Sequence, residues 1–135
     1  MRSSSNYFLP CCENGKTLHV FRFPSYFGIF YIEHSGLGRY GDPIDPFGDI
    51  REIHKIRCLL KPGGILHLGL PVGRDSLVFN AHRIYGQLRL AMLFEGFKLI
   101  DAFESMVRYS IPLNVAIFEK EIGQLTQVIF VLQKI

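Results

Sequence analysis

Glu33 and His34 stand side by side at the start of a polar, glycine-rich stretch that follows an apolar run. Together they have the chemistry of a general base with a carboxylate beside it. An imidazole titrates near pH 6.5 in water, so it can take a proton from a hydroxyl group at neutral pH while the carboxylate orients it. The plainer alternative is a pair that hydrogen-bonds the loop behind it. That loop carries Gly36, Gly38 and Gly41, which let the backbone approach a ligand closely or simply make a tight turn. Asp42 and Asp45 offer carboxylates to an acceptor molecule, or to turns and a helix cap. Further on, His82 and Arg83 are adjacent, and Arg83 can hold an anionic group or be an ordinary surface side chain.

Other reactive types lead nowhere specific. His67 sits in an apolar run and reads as a hydrogen-bonded core histidine. The three cysteines, Cys11, Cys12 and Cys58, are odd in number and two are adjacent, which is no disulfide framework and makes a reducing compartment the default. Cys11, Cys12 and His19 have poor spacing for a metal, so none is expected. No serine-hydrolase motif is present, and a cysteine nucleophile has no catalytic partner near it in sequence.

These residues need elements to position them. The spacing of Ile50, Ile53, Ile56, Leu59 and Leu60, with Arg51, Glu52 and Lys55 opposite, predicts an amphipathic helix capped by Asp45 or Asp49. Pro62 stops it, Gly63 and Gly64 reverse the chain, and residues 65–70 form a buried strand. Residues 17–23 and 26–32 are strand candidates ahead of it, the first in an otherwise irregular segment 1–25. Residues 74–80 read as a loop. Asn80 would cap a second helix with the stripe Ile84, Tyr85, Leu88, Ala91 and Met92, ending at Gly96 and opened by His82 and Arg83. Residues 97–103 and 125–132 are further strands, the last pairing antiparallel with its predecessor, and 115–118 is a possible strand between them. The alternation predicts an α/β layer structure with a mostly parallel sheet, whose functional loops, 33–41 and 71–80, gather at the carboxyl ends of the strands.

Composition sets bounds on partners. A 48% hydrophobic chain of 135 residues can bury a core and argues against disorder. The net charge of +3 is spread along the chain without a basic run, so nucleic acid is not an expected partner. The longest apolar stretch, residues 21–32, is shorter than a membrane span and carries Arg22 and Pro24. The N-terminus lacks the apolar centre of a signal peptide, so the expectation is a soluble chain, cytoplasmic by default.

The ordered set of Glu33-His34, the amphipathic helix, Leu60-Lys61-Pro62-Gly63-Gly64, a strand, His82-Arg83-Ile84-Tyr85 and Gly96-Phe97 resembles the pattern of class I methyltransferases. The string from Glu33 to Pro43 is similar to an uncharacterised branch of methyltransferase-like proteins, a domain of unknown function. The resemblance covers residues 26–135. It implies a partial doubly wound, Rossmann-like sheet, mostly parallel with an antiparallel C-terminal strand. No Gly-x-Gly-x-Gly precedes Tyr26, and 25 residues are fewer than the roughly 30 of a βαβ unit, so the N-terminal half of such a fold would be missing. The resemblance further implies S-adenosylmethionine as cofactor, with Glu33, Gly36 and Gly38 toward it. His34 and Glu33 would then be catalytic, and Asp42, His82 and Arg83 would face a small-molecule acceptor. The alternative is a non-catalytic remnant or interaction module, in which the sheet edge left open by the missing half binds a protein partner or a second copy.

Overall fold

In the computed structural model, residues 26–29, 31–104, 110–121, 123–124 and 126–135 are described. The expected strand at 17–23, and the segment 1–25 to which it belongs, lie outside them.

Strand β1 (Tyr26–Ile29) is followed by a 3-10 turn (Ile32–His34) and a long loop. Helix α1 (Gly48–Leu59) then buries Ile50, Ile53 and Ile56 and turns Arg51 and Lys55 outward, as its spacing requires. It has no side-chain cap: the Asp45 carboxylate accepts from the N–H of Phe47 at 2.9 Å, and Asp49 is wholly buried instead. Past Pro62, Gly63 adopts φ +77°, a conformation cheap only for glycine, and β2 (Ile65–Val72) begins at once. The apolar run of β2 is buried from Leu68 onward.

The four-stranded sheet has the order β1-β2-β6-β5, where β5 is Phe97–Glu104 and β6 is Thr126–Lys134. This corrects the expectation of a mostly parallel, Rossmann-like sheet. Among the described strands of this sheet only β1 and β2 pair in parallel, over four residues, whereas β6 runs antiparallel to β2 and to β5 along their lengths. The reason lies in β6, which inserts between β2 and β5 and so replaces the parallel contact that alternation predicts. Its Val128, Phe130 and Leu132 share a buried core with Leu66, Leu68 and Leu70, together with Ile53 of α1 and with Leu90 and Leu93.

The segment after β2 also departs from expectation. Residues 74–80 are not all loop, and His82 and Arg83 do not open a helix. They lie on β4 (His82–Ile84), which pairs antiparallel with β3 (Ser76–Val78). Asn80, at φ +53°, is the turn residue of this hairpin and caps nothing, since Asn tolerates the left-handed region. Helix α2 (Gln87–Leu93) starts later, with the Asp75 carboxylate accepting from Gly86 N–H and Leu88 N–H. Its buried side chains are therefore Leu90 and Leu93, while Leu88 is 74% exposed. Residues Val115–Phe118 form a short helix, α3, in place of the possible strand. No helix among the described residues is long and apolar enough to cross a membrane. Cys58 is disulfide-bonded, contrary to the expectation from the odd cysteine count.

Candidate functional site

The 3-10 turn that leaves β1 buries Glu33 and swings His34 toward the β3–β4 hairpin. His34 Nδ1 donates to the Ala81 carbonyl at 2.5 Å. That contact fixes the tautomer, so a neutral ring keeps its lone pair on Nε2, which lies 3.6 Å from Glu33 Oε1. The other Glu33 oxygen, Oε2, is buried and has no hydrogen-bond partner among the described residues. Burial pushes the Glu33 carboxyl above its ordinary range, outweighing its own N–H and the charge of His34, which pull it down. The His34 ring stands edge-on to Tyr40 at 5.7 Å and to His82 at 6.3 Å. Burial first, then His34 and Arg39, lower the imidazole of His82.

The glycine loop is closed on itself. Asp42 accepts from Gly36 N–H at 2.6 Å and from Tyr40 N–H at 3.3 Å. Its desolvation is outweighed by these and other N–H contacts, and its carboxyl lies below the usual range. Gly36 and Gly38 both have positive φ, and a Cβ on Gly36 would meet the Asp45 carbonyl at 2.3 Å. One on Gly38 would meet Ile44 Cδ1 at 3.0 Å. The space beside both is filled by the loop's own atoms, so neither forms an open cradle for a nucleoside cofactor such as S-adenosylmethionine.

Arg83 is no surface residue. It is 3% exposed, donates to the carbonyls of Ser35 and Asp45, and approaches Asp49 Oδ1 with Nε at 3.7 Å. Its companions carry no motif in the sequence. Asp49 accepts from Arg89 Nε at 3.0 Å, from Arg89 Nη2 at 2.5 Å and from the Tyr85 hydroxyl at 3.0 Å. Burial and then Asp49 push the Tyr85 hydroxyl well up, so it stays a donor. The available signal was position: Asp49 precedes Ile50 on the inward side of α1, where an unpaired carboxylate would be costly.

His34, Tyr31, Tyr40, Asp42, Arg51 and Lys55 line a cleft of about 700 Å3. Arg51 pairs with Asp45 at 2.8 Å and Lys55 with Glu52 at 2.7 Å, both at the surface. Of the expected site residues, Glu33, His34, Gly36, Asp42 and His82 thus come together in one corner, and Arg83 braces it from inside. Among the described residues no three His, Cys, Asp or Glu side chains converge as metal ligands.

Residues 12–135 match the model of a family described as Caenorhabditis protein of unknown function, DUF268, and the chain belongs to that family. No curated protein and no solved structure matches it.

Proposed function

We propose that this member of the family binds a small, hydroxyl-bearing acceptor in the cleft and removes its proton with His34. The observation that carries the reading is the Glu33–His34 pair: Nδ1 is held by the Ala81 carbonyl, Nε2 keeps the lone pair, and Glu33 Oε1 stands 3.6 Å away. In that arrangement the imidazole accepts the hydroxyl proton at Nε2, and the imidazolium so formed is stabilised by the Glu33 carboxylate. Tyr31 and Tyr40, 75% and 71% exposed, offer aromatic walls to the acceptor. Methyl transfer is the reaction class that the sequence resemblance suggests for such a base. The closed glycines count against a donor seated on Gly36 and Gly38, so donor binding is itself part of the test.

The test is isothermal titration of the whole chain with S-adenosylmethionine, its demethylated product, and a panel of small phenols and alcohols. Saturable binding of an acceptor that His34→Ala weakens at least tenfold is expected. A folded chain that binds nothing in the panel, or binds equally well after His34→Ala, overturns the reading. A second reading, a non-catalytic module that pairs with a partner strand, draws support from β1, which among the described residues is paired on one side only.

A further inference from the structure

We propose that a second cavity, which shares only Gly36 of its lining with the His34 cleft, binds a small amphiphile with an apolar body and a carboxylate head. The cavity measures about 490 Å3, within the range of small-molecule sites. Leu37, Ile44, Leu77, Phe79, Leu88 and Met92 supply its walls, drawn from the long loop, the β3–β4 hairpin and α2. Four of them are strongly exposed: Leu77 at 53%, Ile44 at 68%, Leu88 at 74% and Phe79 at 80%. Large apolar side chains gathered around one concavity are what an apolar body would cover.

The head group follows from the charges. Arg83 and Arg89 both line the cavity and share the single carboxylate of Asp49. Arg89 commits Nε to Asp49, and Nη2 to Asp49 and the Pro46 carbonyl. Its Nη1 has no partner among the described residues, and its side chain remains 24% exposed. Asp75 also lines the cavity, but its oxygens are held by the N–H groups that open α2. An anion at Nη1 therefore meets a guanidinium face with donors to spare, beside an apolar wall. A carboxylate matches that face in shape as well as in charge. The inference does not depend on His34.

The experiment titrates the whole chain with decanoate and with decyltrimethylammonium, which has the same tail and the opposite charge. Decanoate should bind saturably, at least tenfold more tightly than the cation. Leu88→Asp and Leu77→Asp, both at exposed positions and checked for native circular dichroism, should each weaken it at least tenfold. Arg89→Gln should erase the preference for the anion. Equal binding of the two amphiphiles, or decanoate binding unchanged in both Asp variants, overturns the proposal. So does a concentration-dependent dimer in sedimentation that Leu88→Asp abolishes, since the groove then belongs to a second copy.

Discussion

Two buried carboxylates in the same corner are treated in opposite ways. Asp49, wholly buried, is saturated: Arg89 donates to both of its oxygens, Tyr85 donates to Oδ2, and Arg83 stands near Oδ1. Glu33, 8% exposed, has one oxygen 3.6 Å from His34 and the other with no partner among the described residues. A buried charge is tolerable when its hydrogen bonds are complete, and an incomplete one is held at a cost that the rest of the fold must offset. Saturation gives Asp49 a structural part, tying α1, β4 and α2 together. The incomplete set at Glu33 leaves a carboxyl whose pKa burial raises, beside the imidazole of His34.

The most damaging way to probe the contrast is Asp49→Ala. It takes the shared carboxylate from the buried Arg83 and the partly exposed Arg89 and should cost about 3–5 kcal/mol in urea unfolding. A loss below about 1 kcal/mol would mean that the saturated cluster is not what holds the corner. Next in size is Tyr85→Phe, which removes one of the donors to Asp49 Oδ2 while Arg89 Nε remains. The expected loss is about 1–2 kcal/mol by the same measurement.

The sequence exposed part of this arrangement, and physics explains which part. Helix α1 and strand β2 were legible because Ile50, Ile53 and Ile56 repeat with the helical period and Pro62 with Gly63 ends it sharply. The hairpin was not, because Asn80 serves equally as a helix cap and as a left-handed turn residue, and the long-range contacts of Ala81 with His34 and of Arg83 with Ser35 and Asp45 are invisible in the local pattern. Taking it as a cap started α2 too early and put Leu88 and Met92 on the inner face, where Leu90 and Leu93 belong. The sheet pairing failed for a related reason: nothing in the local pattern of residues 126–134 says that they will insert between β2 and β5. His34 and Glu33 were legible as reactive types. The role of Arg83 was not, since its partners are backbone carbonyls and Asp49, more than thirty residues earlier in the chain.

The other side of the contrast is tested with Glu33→Gln. Burial raises the folded carboxyl above its ordinary value of 4.5, so the folded chain holds this proton more tightly than the unfolded chain does. The contribution to stability is complete below about pH 4.5 and is lost as pH rises through the raised value. The melting temperature should therefore carry a Glu33 component that declines from acid toward neutral pH. Glu33→Gln, which cannot ionise, should remove that decline and melt above the wild type at pH 7. Parallel profiles for the two proteins would show that Glu33 is as well satisfied as Asp49, and the contrast would fail.

The smallest effect belongs to His82→Gln, and its sign is opposite. Burial, His34 and Arg39 depress the folded imidazole below 6.5, so its contribution is present above that pH and is lost as pH falls through the lowered value. His67, depressed by burial on β2, adds a loss of the same sense, so the comparison is made within one background. His82→Gln should soften the fall in melting temperature below pH 6.5, a change smaller than that of Glu33→Gln because His82 lies nearer the surface. In a wild-type titration the two groups oppose each other on acidification, Glu33 stabilising the fold as it is protonated and His82 destabilising it. The double variant should accordingly show a flatter profile than either single one. If its profile is only the sum of two unrelated shifts, with no change when His34 is also replaced by Gln, then His34 does not couple the two groups and the corner is not one proton-handling unit.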